Sequence, residues 1–168
     1  METEGSWNNP PVVAATFDDV KKAGFKGVRL PITWAYHFAS ESPDWTVDPV
    51  WLQRVSDVLD MITDRGLYAI VNVHHDSWTW ADLTQTSTNF TAVEERLGKL
   101  WYQIGTKLAC KSEKVAFETI NEIPGEDSDV RTACETYIDF VRHKRRARRY
   151  YQPTEQHLSS GYQRCWRP

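Results

Sequence analysis

The residues that could do chemistry stand at the ends of three short apolar runs. FKGVRL (Phe25–Leu30) carries Arg29 just ahead of Pro31 and Trp34. LYAIVNV (Leu67–Val73) runs into His74, His75 and Asp76. VAFETI (Val115–Ile120) runs into Asn121 and Glu122. A carboxyl group that can give or take a proton, two imidazoles, an amide and a guanidinium are the parts of a general acid–base site. Each also has a plainer reading: a strand-end Arg pairs with an acid, and a lone His is a satisfied core group. Their arrival at three successive run ends, in this order, favours the catalytic reading. The chain also has eight tryptophans. Flat aromatic faces suit sugar rings, and Trp78 and Trp80 follow His75 closely. For any single Trp, the alternative is core filler.

The elements that must position these residues are legible from pattern. Thr16-Phe17-Asp18-Asp19 reads as a capping box that opens a helix, and Gly24 is placed to end it. Asp48-Pro49 is an N-cap followed by proline at the first helical position. The stripe Trp51, Val55, Val58, Leu59, Ile62 then has helical spacing, and Gly66 supplies the stop. Thr91-Ala92-Val93-Glu94 reads as a second capping box, with the stripe Val93, Leu97, Leu100, Trp101, Ile104, Leu108. Asp129 to about Val141 reads as a fourth helix. Phe25–Leu30, Leu67–Val73 and Val115–Ile120 are the strands, the second apolar enough to be buried on both faces. Helices of this length between short strands predict an α/β fold with a parallel sheet. In such folds the site lies at the carboxyl ends of the strands.

Composition bounds the rest. The 168 residues are 40% hydrophobic and 26% charged, which is globular. A complete (β/α)₈ barrel needs roughly 200 residues at least and typically about 250. The net charge of −3 hides an asymmetry, because eight of the 20 Lys and Arg follow Phe140 and only Glu155 of the acids does. Residues 141–168 have no apolar stripe and are expected to be a disordered basic tail or foreign to the fold. A nucleic-acid role for that tail is the weaker reading, since nothing upstream has such a pattern. No apolar run is long enough to span a membrane. The first residues have neither a basic start nor an apolar core, so they are no signal peptide. Among the three cysteines, Cys110 and Cys134 fall on neighbouring helices, where they could pair or stay free. No CxxC-type metal spacing occurs.

VRLPITW, VNVHHD and FETINEIP resemble the strand 2, 3 and 4 motifs of family 5 glycoside hydrolases, of the cellulase or endoglucanase type. The resemblance runs from about Trp7 to Phe140. It implies a TIM barrel of which this chain holds about strands 2–4 with their helices. It implies retaining hydrolysis of O-glycosyl bonds in a β-linked polysaccharide, with β-1,4-glucan the first choice and mannan or mixed-linkage glucan open. Carried over by motif, Glu122 is the general acid/base and Asn121 bonds the sugar 2-hydroxyl. Arg29 lies beneath the nucleophile, and His74 contacts the sugar beside the cleavage point. His75, Trp34, Trp78 and Trp80 line the cleft. The resemblance calls for no cofactor or metal, and its partner is the polysaccharide, bound by a monomer. Members are mostly secreted.

Retention needs an acid to protonate the leaving oxygen and a second carboxylate about 5–5.5 Å away to attack the anomeric carbon. An apolar setting keeps such an acid protonated, and Ile120 and Ile123 flank Glu122. Two departures stand out. The usual Asn-Glu-Pro is Asn-Glu-Ile-Pro here. The family's nucleophile comes from strand 7, which this chain does not reach, and Glu155 has no motif around it. The expectation is therefore an inactive fragment, the basic tail reading as a frameshift, a mis-spliced exon or a mis-joined gene. Rival readings are a non-catalytic sugar-binding remnant, an α/β domain without sugar chemistry, and a metal-dependent barrel using His74, His75, Asp76 and Glu122. Adjacent strand histidines point to opposite faces, which counts against the last.

Overall fold

The computed structural model describes residues 4–5, 10–85 and 87–124. In chain order these form α1 (Ala14–Lys22), β1 (Gly27–Leu30), α2 (Pro49–Thr63), β2 (Tyr68–Asn72), a 3₁₀ turn (His75–Trp78), α3 (Phe90–Lys107) and β3 (Val115–Glu118). The strands make one parallel sheet in the order β1-β2-β3. The predicted alternation is present, with each strand one or two residues shorter at its ends than expected. The predicted fourth helix and the basic tail lie outside the described residues.

Helix starts follow local chemistry. Asp48 caps α2 as predicted, accepting from the backbone N–H of Val50 and Trp51, with Pro49 in the first turn. The two predicted capping boxes are corrected. α1 begins at Ala14 behind Val13, which makes no side-chain cap, so Thr16 sits inside the helix. α3 begins at Phe90, capped by Asn89, whose side chain accepts from Ala92 N–H. A Ser/Thr-x-x-Glu pattern inside a helix is indistinguishable from one at its start, and Asn89 is as good a cap as threonine. Gly24 and Gly66 have φ of +91° and +76°, the left-handed region where a side chain is strained.

The core lies between the sheet and its helices. Val55, Val58, Leu59 and Ile62 of α2 and Leu97, Leu100 and Ile104 of α3 are fully buried, together with Ala69 and Val71 of β2 and Val73 just after it. The alternate residues of β2 face the other way. There Tyr68 and Ile70 keep 58% and 38% of their surface. Burial of β2 on both faces, as its apolar run predicted, is thus not seen among the described residues. The strand register places Arg29, Asn72 and Glu118 on this second face, because Arg29 pairs with Ile70 and Asn72 with Glu118. Polar side chains are tolerated there because they reach one another at the strand ends.

Candidate active site

The chain beyond each strand stays in line with its neighbour. His74 N–H donates to the Ile32 carbonyl at 2.8 Å, and Asn121 N–H to the Val73 carbonyl at 2.8 Å. These two bonds carry the parallel ladder past the regular strands, so Ile32, His74 and Asn121 arrive at one rim.

Arg29 anchors that rim. Its Nε donates to Glu118 Oε2 at 2.8 Å and its Nη2 to Glu118 Oε1 at 2.5 Å, while Nη2 also reaches Asn121 Oδ1 at 2.7 Å. The guanidinium bonds hold the Glu118 carboxyl below the usual range against the opposing effect of its partial burial. The negative charge of Glu122 is felt at Arg29 as well. Asn121 is 5% exposed, and its Nδ2 is buried with no partner among the described residues. Glu122 itself is exposed.

Asn72, fully buried, knits the three strand ends together. Its Oδ1 accepts from Ile32 N–H at 3.0 Å, and its Nδ2 faces Glu118 Oε1 at 3.3 Å and His74 Nδ1 at 3.1 Å. Its carbonyl accepts from the Trp34 indole at 3.1 Å. Burial, then the charges of His75 and Arg29, push the His74 imidazole below its ordinary pKa. Because the strand has ended at Asn72, the alternation that would separate His74 from His75 no longer applies. Their rings lie 4.6 Å apart, and His75 stacks on Trp78 at 5.0 Å. The His75 Nδ1 lies 3.2 Å from Thr33 Oγ1. Trp78 keeps 49% of its surface, and its indole N–H donates to the Glu122 carbonyl at 3.0 Å.

Asp76 points inward. It has no exposure, and its two oxygens accept from Trp34 N–H at 2.9 Å and the Trp80 indole at 2.6 Å. Burial raises its pKa, and those two donors oppose the rise. Behind it, Arg96 of α3 is packed against three rings, Phe38 at 4.5 Å, Trp45 at 4.2 Å and Trp80 at 4.3 Å. Burial pulls this guanidinium down to about 10.

The structure thus brings Arg29 and Asn121 into contact, sets His74, His75 and Trp78 in one ring cluster, and ties Glu122 to Trp78. Trp34 is corrected. It has no exposed surface, so it is an internal strut for Asn72 and Asp76 and lines no cleft as placed. Trp80 is half-buried, with one indole face taken by Arg96. Two residues given no role from sequence, Asn72 and Glu118, prove central. Period-two alternation was the available signal, since it puts both on the Arg29 face. No group of three or more His, Cys, Asp or Glu among the described residues could hold a metal. Cys110 is in a disulfide, and Cys134 lies outside the described residues, so whether the two pair, left open from the sequence, lies there too. No described helix is long and apolar enough to cross a membrane.

A parallel β/α sheet with polar side chains gathered at its carboxyl rim is the arrangement found in β/α barrels, whose sites lie at that rim. The chain matches cellulase (glycosyl hydrolase family 5) over residues 1–150. It is 41% identical over 120 residues to cellulase/esterase CelE of Acetivibrio thermocellus, covering 71% of this chain and 14% of that one. A tri-modular GH5 (subfamily 4) endo-β-1,4-glucanase from Bacillus licheniformis, solved with cellotetraose, superposes with a TM-score of 0.71 at 38% identity. The match covers 84% of this chain and 27% of that one. A family 5 xyloglucanase from Paenibacillus pabuli superposes at 0.74 with 31% identity, covering 83% and 42%. The chain belongs to glycosyl hydrolase family 5. Its fold is a partial (β/α)₈ barrel, and it spans less than half the length of each of these relatives.

Proposed function

We propose that this chain carries the acid/base half of a retaining β-glycanase site that acts on O-glycosyl bonds of β-1,4-glucan. The observation that carries this reading is the Asn121–Glu122 pair. Arg29 holds Asn121 by its oxygen, which leaves Nδ2 as a donor without a partner among the described residues. An unpaired buried donor costs about 1–3 kcal/mol, so this amide is poised to take up an acceptor, and a sugar hydroxyl would be one once the site opens to it. Next to it Glu122 is exposed, its backbone carbonyl accepts from the Trp78 indole, and its carboxyl makes no hydrogen bond to another described residue. In the first step the Glu122 carboxyl gives its proton to the leaving oxygen as the anomeric C–O bond breaks. A second carboxylate attacks the anomeric carbon. Water, deprotonated by Glu122, then releases the sugar.

At the rim beside Glu122 the described residues offer no free second carboxylate. Glu118 is gripped by Arg29 and Asn72, and Asp76 is sealed with both oxygens bonded. Among the described residues the rim therefore supplies one carboxylate of the two that the double displacement needs. Half-exposed Trp78, backed by His75, is the stacking platform for the glycan. The cellotetraose complex of the Bacillus licheniformis enzyme supports β-1,4-glucan as the polysaccharide. Secretion and a monomeric state follow as part of the same reading.

The test is an assay of the purified chain on an aryl β-cellobioside, beside Glu122→Gln and Glu118→Gln. No turnover by any of the three, with cello-oligosaccharide binding intact, is expected. Turnover lost in Glu122→Gln would overturn the inactivity, and loss in Glu118→Gln as well would make Glu118 the attacking group. Absence of both turnover and binding would sink the glycanase reading for this chain.

A further inference from the structure

The Asn72 amide can stand only one way round. Its oxygen faces the backbone N–H of Ile32, which can only donate, at 3.0 Å. Its nitrogen faces Glu118 Oε1 at 3.3 Å, an ionised carboxylate oxygen that can only accept. Turning the amide over would set donor against donor at Ile32 and acceptor against acceptor at Glu118, at a site with no exposure to water. The orientation is thus dictated from two sides.

The second hydrogen on that nitrogen is directed at His74 Nδ1, 3.1 Å away. An amide nitrogen has no lone pair to offer, so His74 Nδ1 must accept. A ring nitrogen that accepts carries no proton, and the proton of the neutral imidazole then sits on Nε2. His74 Nδ1 protonation would put N–H against N–H and cost the Asn72 contact.

We infer that Asn72 is a positioning residue that locks His74 as the neutral Nε2–H tautomer, so that His74 meets substrate as a hydrogen-bond donor to an oxygen and never as a proton acceptor. The substrate part rests on the glycanase reading, and the tautomer does not. The other hydrogen of the same amide nitrogen braces Glu118, the carboxylate that Arg29 grips. One buried side chain thereby sets the hydrogen-bonding sense of the imidazole and the position of the ion pair beside it. That burial lowers the His74 pKa keeps the ring neutral over a wider range, consistent with a donor of fixed sense.

The experiment is imidazole ¹⁵N–¹H NMR on the labelled 168-residue chain above the His74 titration, with His74→Gln used to assign the ring. The wild type is expected to show His74 as a single Nε2–H form. An Nδ1–H ring, or the averaged pair of a free imidazole, overturns the inference. In Asn72→Asp the amide donor becomes an acceptor, so the proton is expected to move to Nδ1 or the ring to stay charged to higher pH. A folded Asn72→Asp that keeps the Nε2–H form overturns the inference as well. Should that variant fail to fold, Asn72→Ser replaces it. Its hydroxyl can donate or accept, so a mixed tautomer is expected, and an unchanged Nε2–H form overturns the assignment. The readout needs no sugar. A locked tautomer together with no cello-oligosaccharide binding would leave the inference standing and refute the glycanase reading instead.

Discussion

Arg29 and Glu118, 89 positions apart in sequence, meet in a two-bonded ion pair, Nε to Oε2 at 2.8 Å and Nη2 to Oε1 at 2.5 Å. The pair joins the first strand of the sheet to the third across the end of the second. Both side chains are partly open to solvent, 39% and 31%, so solvent screening holds its worth near or below about 1 kcal/mol. Glu118→Gln should cost about that much at neutral pH. The Glu118 pKa lies below the unfolded value of about 4.3. Its stabilisation is therefore complete above that value and is lost as pH falls through the folded pKa. Urea denaturation of wild type and variant at pH 7 and near pH 3 should show a gap that closes in acid. A gap that widens in acid would refute the pairing.

Asp76 should behave in the opposite sense. Burial raises its pKa, so its contribution is largest below the unfolded value of about 3.9 and shrinks as pH rises through the folded pKa. Asp76→Asn keeps one acceptor for two donors, Trp34 N–H and the Trp80 indole. One donor is then left unpaired at about 1–3 kcal/mol. The loss against wild type should be greatest in acid and smaller at pH 7. The same urea series would contradict this if both variants lost ground in the same direction.

Much of this architecture was readable from residue order, and the failures have physical causes. The stripe Trp51 to Ile62 gave α2 because five apolar residues at helical spacing can be buried together only on one face of a helix. Asp48-Pro49 gave its start because few other roles suit that pair. Thr16 and Thr91 misled because a capping box is two residues at a spacing, which occurs inside helices too. Arg29, His74, Asn121 and Glu122 were legible as a set because polar side chains at successive strand ends need a reason. Glu118 and Asn72 were passed over because each looks like an ordinary strand residue until the register pairs them. The burial of Trp34 was not legible, since nothing local says that its indole turns in to meet the Asn72 carbonyl.

Arg96 is the test of whether the loops after β1 and β2 are held by one cation. Its guanidinium lies within 4.5 Å of three ring centroids, those of Phe38, Trp45 and Trp80, and its Nε has no hydrogen-bond partner among the described residues. The planar, weakly hydrated group suits stacking in a way that an ammonium does not. Arg96→Lys should therefore cost about 1–2 kcal/mol and change the intrinsic tryptophan fluorescence, with helix content by circular dichroism unchanged. Arg96→Lys melting at the wild-type temperature with the same emission would show the cage to be idle.

Trp78 separates a surface platform from a strut. Its indole is 49% exposed, lies 5.0 Å from the His75 ring and donates to the Glu122 carbonyl at 3.0 Å. Little of it is core, so Trp78→Ala should leave the melting temperature within a few degrees of wild type. If the ring stacks on the glycan, the same change should weaken cello-oligosaccharide binding at least about tenfold, a loss of about 1.4 kcal/mol. Trp78→Phe keeps a flat face and loses only the N–H. Binding near the wild-type level in the Phe variant and lost in the Ala variant assigns the role to stacking. Equal loss in both would assign it to the bond that steadies Glu122. Trp34→Phe provides the contrast, because Trp34 is fully buried and donates to the Asn72 carbonyl. It should lower stability by about 1–3 kcal/mol and affect binding only through the fold. Isothermal titration with cellotetraose, run beside thermal melts, reads both quantities. Unchanged affinity in Trp78→Ala would remove Trp78 from the binding surface.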